Sequence, residues 1–227
     1  MNKAAGKAFA ERIVEWYKRS GDRGLPWRSR RDPWSILLAA FLLRKTTATQ
    51  VARVYTKILR ELPSPAHVLR AGTQRIERLL RPLGMHRQRA RLLRKLAQCI
   101  VESHGGRVPG SKAELMALPG IGQYAASEVL LVAHGQREPL LDRNMARVLG
   151  RVFGVKLGRR PHTDPELWAF ARSILPQDQK DARSFCYGVL DFARRICTAR
   201  SPKCPACFVR DICSSARTQV CGRAAGC

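Results

Sequence analysis

The sequence predicts an all-α protein, and two features of the 227-residue chain support this fold class. Apolar residues recur with helical spacing through most of the chain, in segments of moderate length separated by glycine and proline. No run alternates apolar and polar residues for long enough to require a β-strand. Hydrophobic residues make up 45% of the chain, so it can bury a core.

The helical periodicity places the elements in order along the chain. An amphipathic first helix covers 7–19, and a turn-rich connection rich in proline and tryptophan follows it up to Pro33. Two apolar-periodic segments lie between Ser35 and about Leu62, separated near Thr46 and Thr47. Further helices are predicted at 64–71, 73–81, 86–104, 111–117, 123–134, 143–153, 164–174 and 180–195. The small and polar residues of 214–227 predict a flexible tail.

The charge of the chain indicates a polyanionic partner. Lys and Arg total 42 against 17 Asp and Glu, which gives a formal net charge of +25 and a pI near 11.0. Nucleic acid is the first candidate for so large an excess, and an anionic membrane surface is the second. No stretch approaches the roughly 18 apolar residues of a membrane span, and the N-terminus lacks the apolar segment of a signal peptide. We therefore expect no membrane association and a monomeric, cytoplasmic protein near the nucleoid, whose thiols stay reduced.

Basic residues are concentrated in two places. Arg28, Arg30 and Arg31 form one cluster, and the stretch RPLGMHRQRARLLRKLA forms the other. Arginines on a loop and on the first turns of a helix are suited to neutralising phosphates. A solvated helix face is the alternative for either cluster taken alone.

Four cysteines near the C-terminus have the spacing of a metal centre. Cys197, Cys204, Cys207 and Cys213 form a C-x6-C-x2-C-x5-C array. Structural zinc sites usually contain two short C-x2-C pairs, whereas the ligation of a [4Fe–4S] cluster tolerates uneven spacing. A set of inert buried thiols is the remaining reading.

This array resembles the iron–sulfur loop of the endonuclease III superfamily of base-excision DNA glycosylases. A second motif supports the resemblance: Leu118-Pro119-Gly120-Ile121-Gly122 is similar to the hairpin of that family's helix-hairpin-helix. Gly135, Pro139 and Asp142 complete the family's Gly/Pro–Asp signature, and the likeness extends from about Glu15 to Cys213.

The resemblance implies a two-lobed, all-α helix-hairpin-helix glycosylase fold with a [4Fe–4S] cluster. A six-helix barrel module at 28–136 would carry the hairpin, and 1–27 with 137–213 would form the cluster domain. The partner would be double-stranded DNA that contains a mismatched or damaged base. The hairpin residues Gly120, Gly122 and Gln123 would hold a DNA phosphate through backbone amides.

The same resemblance assigns two catalytic positions. Asp142 matches the catalytic aspartate, whose carboxylate stabilises the positive charge that builds on the deoxyribose; a plain N-cap is its alternative role. At the position of Tyr124, strand-cleaving members carry a lysine, adenine-mismatch members usually carry a serine, and thymine-removing members carry a tyrosine. A tyrosine can stack on an extruded pyrimidine. The resemblance therefore implies a monofunctional glycosylase for thymine or uracil opposite guanine.

One departure from the family affects the base specificity. The stretch LPWRSRRDPWSILLAAFLLRKTTATQVARVY resembles both the adenine and the thymine branches. Ala40 stands where adenine-removing relatives, and often thymine-removing ones, carry a carboxylate. Adenine removal needs an acid that protonates the purine ring, whereas a pyrimidine can leave as an anion, so this departure affects pyrimidine removal less. An adenine or damaged-base glycosylase of the same fold and a DNA-binding protein without catalysis are the alternatives.

The resemblance also implies further DNA contacts around the extruded base. Arg44 and Lys45 stand where relatives probe the gap left by that base, and the wedge that unstacks the duplex would come from Leu83, Met85 and His86.

Overall fold

A computed structural model of the chain describes residues 3–217, and every regular element within them is helical, which confirms the predicted all-α class. The ten α-helices of this range are α1 (Lys3–Ser20), α2 (Pro33–Leu42), α3 (Ala48–Glu61), α4 (Pro65–Leu80), α5 (His86–His104), α6 (Lys112–Ala117), α7 (Gln123–Val132), α8 (Arg143–Phe153), α9 (Pro165–Ser173) and α10 (Gln179–Arg195). None of the helices in the described range is both long enough and apolar enough to cross a bilayer.

The chain divides into two compact units. One contains 23–136, and the other contains the described parts of 1–22 and 137–227. The sequence placed the first boundary five residues later, at 27/28. Asp22 belongs to the unit that contains α10, and its backbone N–H donates to the carboxylate of Asp191 in that helix (2.8 Å).

The unit of 23–136 is built around α2, an apolar helix that is buried along nearly its whole length and packs against α7. Its first turn is fixed by two hydrogen bonds from aromatic side chains: Trp34 donates from Nε1 to the carbonyl of Leu62 (2.9 Å), and the Tyr55 hydroxyl donates to the carbonyl of Ser35 (3.0 Å). Helix α4 packs on α5 and contains one non-helical residue, Gly72, with φ 71°. This residue is the predicted break between 64–71 and 73–81, because a positive φ is easily adopted only by glycine.

In the other unit, α1 packs closely on α10. A Cβ at Gly188 would lie 2.7 Å from Cγ2 of Ile13, so glycine is needed for this approach. The Phe9 ring sits edge-to-face with those of Phe153 (5.5 Å between centroids) and Phe185 (5.9 Å). These aromatic contacts bring α1, α8 and α10 into one core.

The cysteine-containing segment 197–213 is held against α1. Arg12 donates to both carboxylate oxygens of Asp211 (2.5 and 2.9 Å), and the ring of Trp16 stacks on that of Phe208 (5.7 Å). The first residues of the predicted tail, 214–217, form a helical turn. In this turn the Arg217 side chain donates to the carbonyl of Asp211 (2.6 Å from Nη2). The rest of the predicted tail, with Cys221 and Cys227, lies outside the described residues.

Candidate functional site

Asp142 forms the N-cap of α8 and is held by three hydrogen bonds. Its Oδ1 accepts from the backbone N–H groups of Asn144 (2.8 Å) and Met145 (2.7 Å), and its Oδ2 accepts from the side-chain amide of Asn144 (2.7 Å). Burial raises the pKa of Asp142 above its ordinary value of 3.8, and the hydrogen bonds and the charge of Arg147 oppose the rise only in part. The carboxylate is therefore fixed in orientation and its ionisation is less favourable than in water.

A chain of hydrogen bonds runs from this carboxylate to the first cysteine of the array. Oδ1 of Asn144 accepts from Nη1 of Arg147 (3.0 Å), and Nη2 of Arg147 donates to the carbonyls of Cys197 (3.1 Å) and Ala193 (3.0 Å). Neither Asn144 nor Arg147 is among the site residues predicted from the sequence. Asn144 and Arg147 are three residues apart on the helix that follows Asp142, and residues at this spacing lie on one helix face. This spacing was the sequence feature from which their contact could have been predicted.

The segment that leads into Asp142 is also fixed. Arg172 donates to both oxygens of the buried Glu138 carboxylate (2.6 and 3.0 Å). Arg137 donates to the carbonyls of Leu175 and Pro176 (2.9 Å each). Bidentate and multiple arginine bonds restrict the backbone of 137–141, which positions the start of α8.

The four cysteines of the predicted centre line one cavity. Its volume is about 260 Å³, and Cys197, Cys204, Cys207 and Cys213 all contribute to its wall. Burial raises the pKa of the Cys207 and Cys213 thiols, and the charges of neighbouring cysteines raise it further.

The cysteine sulfurs and the volume of this cavity indicate which kind of metal centre it can hold. No set of three or more His, Cys, Asp or Glu side chains within residues 3–217 has the geometry of a single metal-ion site. The cavity is several times the roughly 30 Å³ that one water molecule occupies in the liquid, so it has room for a polynuclear centre. Four thiols around such a space fit an iron–sulfur cluster. Arg151 borders the cavity, with Nη1 3.6 Å from the sulfur of Cys197.

The hairpin between α6 and α7 contains two glycines, Gly120 and Gly122, whose surroundings differ. Gly120 has φ 79°, and a Cβ there would lie 2.8 Å from both Nη1 of Arg44 and Cδ2 of Leu92. The guanidinium of Arg44 donates to the carbonyl of Gly120 (2.8 Å). Gly122 has an ordinary φ of −105° and open space around its Cα. A substituent there would therefore meet only a molecule approaching from outside.

The first turn of α7 offers backbone N–H groups with no side-chain cap from its N-cap residue, Gly122. Side-chain oxygens cap the N-termini of α2, α3, α4, α6, α8, α9 and α10. Helix α7 has no such cap, and neither does α5, whose N-cap residue is Met85. Uncapped amides at a helix N-terminus attract anions.

Tyr124 and Gln123 lie half-buried on this first turn. One turn further along α7 is Glu128, a carboxylate with 1% exposure that is not among the site residues predicted from the sequence. Ala40 is buried on α2, and α2 contains no acidic residue. Of these two packed helices, only α7 carries a carboxylate.

The residues predicted to contact an unstacked duplex differ in exposure. Leu83 is 6% exposed and belongs to the core, whereas Met85 is 49% exposed and His86 is half-buried. Leu83 therefore presents little free surface in this structure, and its assignment to the wedge stays a prediction. Arg89, from the basic cluster assigned to phosphates, is also buried.

Comparison with known proteins places the chain among DNA repair proteins. Residues 38–172 match the HhH-GPD superfamily of base excision DNA repair proteins, and residues 197–213 match the iron-sulfur binding domain of endonuclease III. The chain is 54% identical over 214 residues to a thymine-DNA glycosylase of Aeropyrum pernix, covering 94% of this chain and 96% of that one. It is 54% identical over 200 residues to a thymine/uracil-DNA glycosylase of Pyrobaculum aerophilum, covering 88% and 87%.

Among solved structures, that of a thermostable thymine-DNA glycosylase superposes with a TM-score of 0.89 at 32% identity, covering 95% of this chain and 98% of that one.

Proposed function

The chain belongs to the HhH-GPD superfamily of base excision DNA repair proteins, and from this premise we propose that it is a monofunctional DNA glycosylase for thymine or uracil mispaired with guanine. The observation that carries the proposal is Asp142, a partly buried carboxylate with a raised pKa that is fixed at the start of α8. The names of the two relatives at 54% identity support the choice of base.

Asp142 supplies the charge that the reaction needs. As the bond between C1′ and the base nitrogen breaks, its electrons leave with the base and positive charge develops on the deoxyribose. The carboxylate stabilises this charge, as in other glycosidases. Water then forms the new bond to C1′, and Asp142 accepts the proton that the water loses. The products are the free base and an abasic site.

The choice of a pyrimidine agrees with the absence of acidic residues from α2. A departing adenine needs protonation of its ring, whereas thymine and uracil leave as anions with charge delocalised onto O2. Ala40 stands where relatives carry the acid, and the lack of this acid slows the departure of a pyrimidine less than that of adenine. Tyr124, on the first turn of α7, is the residue we assign to contact with the extruded base.

Tyr124 also supports the absence of strand cleavage. A lyase step requires an amine that attacks C1′ and forms a Schiff base. A phenol at this position forms no such adduct, and the reaction stops at the abasic site.

DNA would be held by backbone groups at the hairpin. Backbone N–H groups at the start of α7, where Gly122 provides no side-chain cap, would bind one phosphate, and the open space at Gly122 lets that phosphate approach the backbone. A contact of this kind fixes position along the strand without reading sequence.

The four cysteines would hold a [4Fe–4S] cluster. When bound, the cluster supplies four iron–sulfur bonds that close the segment 197–213. A fixed segment 197–213 would in turn help to hold Asp142 in place. Arg147 donates to the carbonyl of Cys197 and to the side chain of Asn144, which donates to the carboxylate of Asp142.

The test is excision from a panel of labelled duplexes that contain G·T, G·U, G·A, oxidised G·A, hypoxanthine or thymine glycol. Each reaction is read with and without alkali, which cleaves abasic sites. We expect products from G·T and G·U after alkali only. Cleavage without alkali would contradict the monofunctional assignment, and activity confined to G·A would contradict the pyrimidine assignment. Tight binding with no product from any duplex would identify a DNA-binding protein without catalysis.

A further inference from the structure

Arg89 connects two loops of the unit 23–136 through four hydrogen bonds. Nε donates to the carbonyl of Gly84 (3.1 Å) in the turn before α5. The other three bonds reach the end of α2 and the loop that follows it: Nη1 donates to the carbonyl of Leu42 (3.3 Å), and Nη2 donates to the carbonyl of Arg44 (2.6 Å) and the hydroxyl of Thr46 (3.2 Å). One guanidinium thus holds both loops.

Each of these loops contains a non-glycine residue in the left-handed region. Lys45 has φ 55° and Met85 has φ 50°, and they are the only two such residues in the described part of the chain. Such a conformation costs about 1 kcal/mol or more and persists only where the surroundings enforce it. Both side chains are exposed, and both line a small cavity of about 90 Å³ with Arg44 and Arg89.

Arg44 extends the same connection to the hairpin. Its carbonyl accepts from Arg89, and its own guanidinium donates to the carbonyl of Gly120 (2.8 Å). Three loops of one unit are therefore joined by two arginines. The absence of a Cβ at Gly120 allows Arg44 this approach.

The environment of Arg89 does not fit phosphate binding. Its side chain is 7% exposed, and the four oxygens that accept from it are neutral. Burial, and then the charge of Arg44, lower its pKa. A charge removed from water is costly unless hydrogen bonds replace its hydration, so the loop oxygens have to stay in place around it.

We propose that Arg89 is a positioning residue for base extrusion, which keeps Lys45 and Met85 at a fixed separation so that both side chains meet the duplex together at the mismatch. This inference rests on the proposed function, because it concerns the step that precedes excision. Fixing the two side chains in advance removes the cost of ordering two loops when DNA binds.

The test compares Arg89→Met and Arg89→Lys with a matched control, Arg107→Met, which removes one exposed positive charge from the turn after α5, outside both basic clusters. Single-turnover excision is measured on a G·U duplex and on the same uracil opposite an abasic site, where no base pair has to be broken. Fluorescence of 2-aminopurine beside the uracil reports unstacking, and thermal unfolding reports folding.

We expect Arg89→Met to slow excision from G·U by about 10- to 100-fold, since a displacement of about 1 Å can cost that much. The rate opposite the abasic site should change far less, the fluorescence increase on binding should be reduced, and Arg89→Lys should be intermediate. Arg107→Met should match the wild type on both duplexes. If Arg89→Met does not fold, Arg89→Lys is judged by the same comparison.

Unchanged excision, equal slowing on both duplexes, or an equal effect of Arg107→Met would overturn the proposal. An inactive wild-type protein would contradict the proposed function instead. In that case the fluorescence of the bound G·U duplex still decides the role of Arg89, because unstacking does not require excision.

Discussion

Replacing Asp142 with asparagine separates the catalytic role of this residue from its role as a helix cap. Asparagine and aspartate cap helices about equally well, so the Oδ1 bonds to the N–H groups of Asn144 and Met145 can persist. The bond from the Asn144 amide to Oδ2 is lost, because the new amide also presents N–H groups there. One such bond is worth about 1 kcal/mol, so we expect unfolding to become easier by about that amount.

The chemistry should respond much more strongly. An amide carries no charge to stabilise the developing cation and accepts no proton from water. The loss of a group that acts as general base typically lowers the rate by about 10²- to 10⁴-fold, and we expect Asp142→Asn to lie in this range. Affinity for the G·U duplex should be retained.

The assay is single-turnover excision from a G·U duplex, with DNA affinity and thermal unfolding measured on the same preparations. Asp164→Asn is the matched control, because Asp164 caps α9 through the same kind of bonds, to the N–H groups of Glu166 (2.9 Å) and Leu167 (3.3 Å). Excision by Asp142→Asn at a rate close to that of the wild type would refute the catalytic assignment. Joint loss of folding, binding and activity would show that the cap dominates.

The raised pKa of Asp142 also fixes the direction of the pH dependence. The carboxylate has to be ionised, so kcat/KM should fall as the pH drops, with a midpoint above the ordinary 3.8, and Asp142→Asn should lack this limb. The folded protein holds this proton more tightly than the unfolded chain does. The contribution of Asp142 to stability is therefore present at low pH and is lost as the pH rises through the raised pKa.

Three further predictions concern the cofactor, the reaction type and the hairpin. Cys204→Ser should lose iron, visible absorption and thermal stability, whereas Cys99→Ser, a thiol of the other unit, should keep all three; equal iron content in the two variants would contradict the cluster assignment. Tyr124→Lys should form a covalent DNA complex that borohydride traps, and the wild type should form none; trapping of the wild type would refute the monofunctional reading. Gly122→Ala should weaken DNA binding, with unfolding changed by no more than about 0.5 kcal/mol, whereas Gly120→Ala should lose more than about 1 kcal/mol because of its positive φ. Unaltered affinity of Gly122→Ala would argue against a phosphate at the hairpin.

The sequence by itself determined the features that a few neighbouring residues encode. The apolar periodicity predicted the helical class, and the break within α4 followed from the single glycine at 72. Asp142 preceded an apolar-periodic run, which is how an N-cap is recognised, and it caps α8. The cysteine spacing named four residues that line one cavity. Each of these signals lies within the span of one helix or one loop.

Only the tertiary structure decided which side chains act on distant backbone. Arg147 binds the carbonyl of Cys197, 50 residues away, and Arg89 binds a loop more than 40 residues away. Every residue carries a carbonyl oxygen, so the sequence holds no mark of which carbonyl an arginine will reach. Leu83 and Met85 are both apolar residues of one turn, and only the packing of that turn makes the first buried and the second exposed. A buried arginine and an exposed arginine look alike in a sequence, as do a buried and an exposed methionine, because burial is a property of the assembled fold.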